Sequence, residues 1–423
     1  TYIDLMRPMT LLIGRNGSGK TNVIEGVELL AQLASGRPLY EISDLGRGSG
    51  NSFEIRGGLQ GCVRKSDNQQ NFFEFAFDTY SKQNNNNPFF LYNIGVSYVG
   101  QLSICSEKLW FNKRYYFEAS LLADVLNVTY DNFSRGGNKP SLKLSADRSV
   151  LSRYHPTITT QLYDKKVKDG AIREAMEFTD IVKRYLMSAF VFDLHPHLMR
   201  QYERIGATQL NKDGSNLSAV LYGIKTKDET VEEPKRLLPK LLAKLKQLPE
   251  EPFIDFEFIT TQANDVLLAL KREDEAIIDA RLLSDGTLRA LAILTALETI
   301  PEHSRMVIEE LDNGIHPSRV KLLVDTIWEC SHRRNLNVLV TTHNPATLNG
   351  LTPEQLDCVV VCHYDPVEKA DKLTALPDIP DAEILLQKGS LGDLVTRNVL
   401  ESYLMPNFAE EQQRKAQVWL DLF

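Results

Sequence analysis

The chain has 423 residues, 43% hydrophobic and 25% charged, the mix of a folded globular protein and not of a disordered one. Lys and Arg number 48 against 56 Asp and Glu, a net charge of -8. A uniformly basic nucleic-acid coat is therefore excluded, and any contact with DNA or RNA needs a local basic patch.

Thr10 to Ile13 reads as a short apolar strand, and Thr21 to Leu33 as a helix carrying Val23, Val27 and Leu30 at helical spacing. Between them GRNGSGKT, residues 14–21, matches G-x-x-x-x-G-K-[ST] completely. Asn16, Gly17, Ser18 and Gly19 form a loop whose N–H groups can turn inward around phosphates, with the positive end of the helix behind them. Lys20 is placed to reach the β and γ oxygens, and Thr21 to ligate Mg²⁺. The expected cofactors are thus ATP and Mg²⁺. No guanine-reading NKxD follows in a sensible position.

From about 50 to 145 the pattern is one of short strands, with Phe73, Phe75 and Phe77 on one face of the first and Asn84–Asn87 as a hydrophilic turn. Helical spacing returns at about 167–190 and at 233–247, where a leucine stripe opposes Lys240, Lys244 and Lys246. That basic face reads as solvent-facing surface, with a partner or nucleic-acid footprint as the alternative. Residues 199–216 read as polar loop, and His195 and His197 as a structural pair. Short strands at 253–260, 265–271 and 276–282 lead to LLSDG and a long apolar helix, Thr287–Leu297. RMVIE and NLNVLVTTH read as buried strands around a helix at 318–330, and DCVVVCH as another strand. Strands alternating with helices imply a mostly parallel sheet covered on both faces. The tail after 380 is helical, with Trp419 and Leu420 near its end. No run approaches the ~18 apolar residues of a membrane span, and no secretory leader opens the chain. The five cysteines form no CxxC pair, so reduced core thiols and a cytoplasmic location are expected.

Glu309 and Glu310 end the RMVI strand, where successive side chains point to opposite sides. We assign Glu309 to Mg²⁺ or its water and Glu310 to activation of the attacking water, against the plainer reading of two surface acids. His343 ends the LVTT strand and can report a γ-phosphate by a hydrogen bond. LSDG opens a helix, with Ser284 as cap and Gly286 permitting close approach, which makes a second anion seat. Such a seat makes most sense if it closes over the nucleotide of another subunit.

These segments resemble the ABC-type ATPases of the RecF/SMC-like branch, specifically the AAA15/AAA21 (OLD-like) proteins. GRNGSGKTN resembles their Walker A segment, and LLSDGTLRALAIL their signature, with Asp285 where a transporter has glycine. VIEELDNGIHPSR resembles their Walker B and D-loop, with Glu309 in place of the commoner aspartate and with Asp312 and Asn313 in the D-loop. TTHNP resembles the switch-histidine segment. Gln101 is a candidate for the glutamine that senses Mg²⁺ in such proteins. The match is strong over about 9–35 and 280–350. The family's longer first strand implies a chain that starts within the protein or has been trimmed.

The resemblance implies an α/β fold: an ABC-type P-loop NTPase head with a mixed central sheet, an antiparallel β subdomain and an inserted helical region. The expected division is 1–160, the P-loop and β subdomain; 161–250, the helical insertion; and 251–423, carrying the signature, Walker B, D-loop and switch histidine. It further implies a slow, regulatory ATPase that dimerises head to head around ATP, possibly within a higher assembly. Such a switch is expected to control a separate effector, a nuclease or toxin in anti-phage defence. The alternative is a RecF-like DNA-binding repair or recombination clamp. No membrane partner is expected.

Overall fold

The structure, a computed structural model, describes residues 2–44, 55–63, 71–79, 90–112, 114–133, 136–163, 169–232, 236–248, 253–405 and 414. The Asn84–Asn87 turn and the Trp419–Leu420 segment lie outside the described residues. Two compact units are formed, one from residues 1–24 and 190–423 and the other from 25–189. The expected division at 160 and 250 is one of motif content, and it remains a proposal beside these two units.

In the first unit a fully buried strand β1 (Met9–Ile13) runs into helix α1 (Lys20–Ser35), within which the chain passes to the second unit. That unit holds α2 (Leu39–Asp44), α3 (Gly58–Gly61) and a six-stranded antiparallel meander. The strands are β2 (Phe72–Thr79), β3 (Phe90–Val99), β4 (Gln101–Phe111), β5 (Arg114–Leu122), β6 (Val125–Tyr130) and β7 (Ser141–Ser145), paired in sequence order. Gln101 opens β4. Helices α4 (Val150–Thr157) and α5 (Gly170–Met187) complete the unit. Alternation sends Tyr92, Ile94, Leu109, Phe117 and Val128 into a core that the Phe73, Phe75 and Phe77 side chains border. The buried Glu107 accepts from Tyr92 Oη and from the N–H groups of Val150 and Leu151, so a carboxylate holds the start of α4.

The chain returns through β8 (Ala189–Phe192) and β9 (Glu203–Arg204). The 199–216 stretch, expected as polar loop, carries the short strand β9, and α6 (Leu217–Asp228) follows it with Leu217, Val220 and Leu221 buried. Its spacing is masked in sequence because nearly every early position faces something, so no polar stripe shows. Asp228 at its end accepts the N–H groups of Leu237 and Leu238 and so caps α7 (Leu237–Gln247). Strands β10 (Phe253–Thr260), β11 (Asp265–Arg272) and β12 (Ile277–Asp279) pair antiparallel, with β9 joining β11.

Then follow α8 (Asp285–Thr299), β13 (Arg305–Ile308), α9 (Pro317–Arg334), β14 (Asn337–Thr341), α10 (Pro345–Asn349), α11 (Pro353–Leu356), β15 (Val359–Asp365) and β16 (Ala370–Ala375). The tail is helical as expected, with α12 (Ala382–Lys388), α13 (Leu391–Thr396) and α14 (Val399–Tyr403). The central sheet has the order β16-β15-β1-β14-β13-β8. β1 is parallel to both β14 and β15, β13 is parallel to β14, and β15 and β16 pair antiparallel. The sheet is therefore mixed. Its parallel strands bring the C-terminal ends of β1, β13 and β14 to one edge, where ligands bind in open α/β sheets.

Candidate functional site

At that edge the loop after β1 turns on glycines. Gly17 and Gly19 have φ of +81° and +94°, a region open to glycine and strained for L side chains. A Cβ on Gly19 would stand 2.5 Å from Asp371 Oδ2 of β16, so alanine there meets a strained φ and displaces the Asp371 side chain. Ser18 N–H donates to Arg15 O at 3.1 Å, and Cys362 Sγ donates to Ser18 O at 2.5 Å. Asn16 is exposed, and Ser18 Oγ is buried without a hydrogen-bond partner. An orphaned buried hydroxyl in a phosphate loop fits a nucleotide as its missing partner.

Lys20 opens α1 and folds back, Nζ donating to Gly14 O at 2.6 Å and Arg15 O at 2.8 Å. Burial lowers its pKa from the ordinary lysine value, opposed by the nearby Cys362 thiol and Glu310 carboxylate. Lys20 and Glu310, far apart in sequence, thus act on one another electrostatically. Thr21 is half-buried one residue further on.

Glu309 and Glu310 follow β13. Glu309 N–H donates to Phe192 O of β8 at 2.9 Å, and the residue is half-buried. Glu310 is exposed and takes a left-handed backbone, φ +46°, where the chain leaves the strand. Its N–H donates to Thr341 Oγ1 at 2.9 Å, and its Oε2 accepts from Asn313 Nδ2 at 3.1 Å. Asp312 is buried, and its Oδ2 accepts from Thr342 Oγ1 at 2.7 Å and Thr347 Oγ1 at 2.9 Å. The turn after β13 is thereby tied to the segment after β14. Asn313, not Asp312, presents an exposed side chain there. His343 is exposed just beyond β14.

Ser284 caps α8: its Oγ accepts from Thr287 N–H at 3.0 Å. A Cβ on Gly286 would approach Gly314 O to 3.0 Å, so the signature turn and the D-loop lie against each other. Arg200 Nη2 donates to Leu283 O at 2.7 Å and Asp285 Oδ1 at 2.6 Å, on either side of Ser284. The charge that replaces the transporter glycine thus has a counter-ion in its own chain. Sequence reasoning missed Arg200 and Thr341, because nothing in local spacing ties either to its partner.

Among the described residues no group of three or more His, Cys, Asp and Glu could hold a metal by itself. Mg²⁺ needs no such cage: it keeps water and takes one or two protein oxygens with substrate phosphates. The Thr21 hydroxyl and a Glu309 carboxylate are donors of the right kind. No helix among them is long and apolar enough to cross a membrane.

A mixed β-sheet with parallel central strands, a glycine-rich loop after β1, paired acids after β13 and a polar segment after β14 defines a P-loop NTPase head. The family described as "AAA domain, putative AbiEii toxin, Type IV TA system" matches residues 9–349, and the chain belongs to it. It is an ATPase domain of that AAA family. Among solved structures, the chain is similar to an SMC head bound to the C-terminal winged-helix domain of ScpA, at 13% identity over 89% of this chain and 91% of that one, TM-score 0.45. It is similar to the SMC head domain from Thermotoga maritima at 12% identity over 87% and 89%, TM-score 0.32. A third, an SMC head with an extended coiled coil bound to the C-terminal domain of ScpA from Pyrococcus furiosus, shows 13% identity over 90% and 92%, TM-score 0.34. No curated protein matches the chain.

Proposed function

We propose that this ATPase domain is a nucleotide-gated switch in which two copies engage head to head, each lending its signature turn to the other's P-loop. The observation that carries this reading is that one unit holds two glycine-bearing helix starts suited to an anion, Gly14–Thr21 and the Ser284-capped start of α8. One nucleotide needs only the first. Asn16 to Lys20 bind the phosphates, Thr21 and Glu309 hold Mg²⁺, and Ser284 and Gly286 receive the phosphate end from the opposite copy. Bound Mg²⁺ supplies Lewis-acid neutralisation of phosphate charge. Glu310, aimed by Thr341 and Asn313, orients the attacking water and accepts its proton. His343 donates to the oxygen that leaves the engaged state on hydrolysis, and Asp312 holds the D-loop in register. Loss of the γ-phosphate removes the group both copies share, which releases the interface.

For the partner, the resemblance to RecF/SMC-like ATPases favours DNA held by the engaged pair. The family description, which names a toxin–antitoxin system, supports a separate effector protein as the second reading. Both are tested with Glu310→Gln protein, ATP and Mg²⁺ in a tagged pull-down read by native mass. The expected result is a trapped dimer with ATP retained. Co-purified DNA supports the clamp, and a stoichiometric nuclease or toxin supports the effector reading. A variant that remains monomeric, or hydrolyses ATP at the wild-type rate, overturns the switch.

A further inference from the structure

Helix α8 carries a buried cation with no assigned role. Arg289, five residues past Ser284, is 6% exposed. Its Nη2 donates to Leu194 O at 2.7 Å, and its Nη1 reaches Glu310 O at 3.4 Å. Burial lowers its pKa from the ordinary arginine value, opposed by four carboxylates: Asp193, Glu310, Asp285 and Asp312. Those acids come from four segments, namely the end of β8, the Walker B turn, the signature and the D-loop. Arginine remains charged under such burial, whereas a neutral side chain there would leave the acids uncompensated.

The backbone of Glu310 is thus fixed from two sides. Thr341 holds its N–H and Arg289 approaches its carbonyl, across a residue whose left-handed φ costs energy unless its surroundings impose it. Arg289 sits on the same rigid helix as the signature cap, and α8 is buried along most of its length. We infer that Arg289 is a positioning residue that couples the signature turn of a chain to the aim of that chain's own Glu310. A small displacement of α8 when Ser284 and Gly286 receive the opposite nucleotide moves the guanidinium and, through the carbonyl, the carboxylate. Each chain then senses occupancy of its partner's site before committing its own nucleotide. This rests on the head-to-head reading proposed above.

The test compares Arg289→Gln and Arg289→Lys with wild type and Glu310→Gln, measuring ATP affinity, ATP-dependent dimerisation and single-turnover hydrolysis. Lysine keeps the charge among the four acids but cannot span both carbonyls. The expected result is ATP affinity and dimer formation within about twofold of wild type, with hydrolysis inside the dimer slowed ~10-fold or more in Arg289→Lys and ~100-fold in Arg289→Gln, the scale of a misplaced catalytic group. Arg289→Lys hydrolysing within twofold of wild type overturns the inference. So does an Arg289→Lys protein that loses ATP binding in proportion to turnover, since that marks a residue needed only for folding. If wild type itself shows no Glu310-dependent hydrolysis, the head-to-head reading fails first, and the two failures are told apart.

Discussion

Thr341 Oγ1 accepts the backbone N–H of Glu310 at 2.9 Å, so the end of β14 sets the angle at which the chain leaves β13. Thr341 is 4% exposed, and valine would fill the same volume without the acceptor. Thr341→Val is expected to cost about 1 kcal/mol of stability while reducing turnover ~10-fold, with KM for ATP nearly unchanged. Steady-state kinetics beside a urea melt checks this; a rise in KM at constant kcat would place Thr341 in nucleotide binding.

Gly286 lies against the D-loop carbonyl of Gly314. An alanine at 3.0 Å from a backbone oxygen must push it by a few tenths of an ångström. Gly286→Ala is expected to fold, to bind ATP as a single head, and to lose ~10-fold in dimer affinity, about 1.4 kcal/mol. Light scattering against protein concentration, with and without ATP, gives the result. Unchanged dimer affinity would remove the signature turn from the interface.

The Glu107 carboxyl is raised by burial from its ordinary range to about 7, despite the hydrogen bonds from Leu151, Val150 and Tyr92. The folded protein therefore binds a proton more tightly than the unfolded chain. Stability from this group is fully present below the ordinary carboxyl range and falls as pH rises through about 7. The slope is at most about 1.4 kcal/mol per pH unit, and above the folded pKa it flattens. Trp110 lies in β4 and reports on this unit. Urea melts by Trp110 fluorescence, in a Trp328→Phe, Trp419→Phe background, are expected to show this decline between pH 5 and 8. Glu107→Gln is expected to abolish it while lowering the baseline, because its amide faces N–H donors.

Part of the basic surface of α7 and α9 is taken up within the chain. Lys244 pairs with Glu329, Arg333 with Glu298, and Arg334 Nη1 donates to Leu297 O at 2.6 Å. Arg333→Ala is therefore expected to leave DNA affinity within about twofold and the salt dependence unchanged. A gel-shift series over salt concentration decides it; a slope lower by about one unit would put Arg333 on a phosphate.

The chain's fold was legible wherever hydrophobic pattern and motif agree. The strand before the P-loop, expected from Thr10, begins at Met9, and the helix after it begins at Lys20. RMVI and NVLVT are strands because both sheet faces are covered and every position can be apolar. Elements whose burial comes from tertiary neighbours were not legible. β16, ADKLTA, gives no pattern to read because it is an edge strand with half-exposed positions throughout. The helix expected over about 167–190 ends at Met187, and β8 begins at Ala189. At the candidate site the motif residues announce themselves, but the groups that aim them do not. Thr341, Arg200 and Arg289 meet Glu310, Asp285 and Leu194 only through folding, and no spacing encodes that.

The register of β1 has a consequence for how the protein is made. Met9 pairs with Val338, and Leu11 with Val359, so β1 waits for partners that are synthesised long after it. Residues 25–189 hold their own core and neighbouring-strand pairings, so none of their sheet contacts has to wait for the later strands. The phosphate loop then has no flanking strands until β14 and β15 emerge. A nascent chain halted before residue 338 therefore carries an intact P-loop sequence without the sheet that holds it, and nucleotide binding becomes a late checkpoint on synthesis.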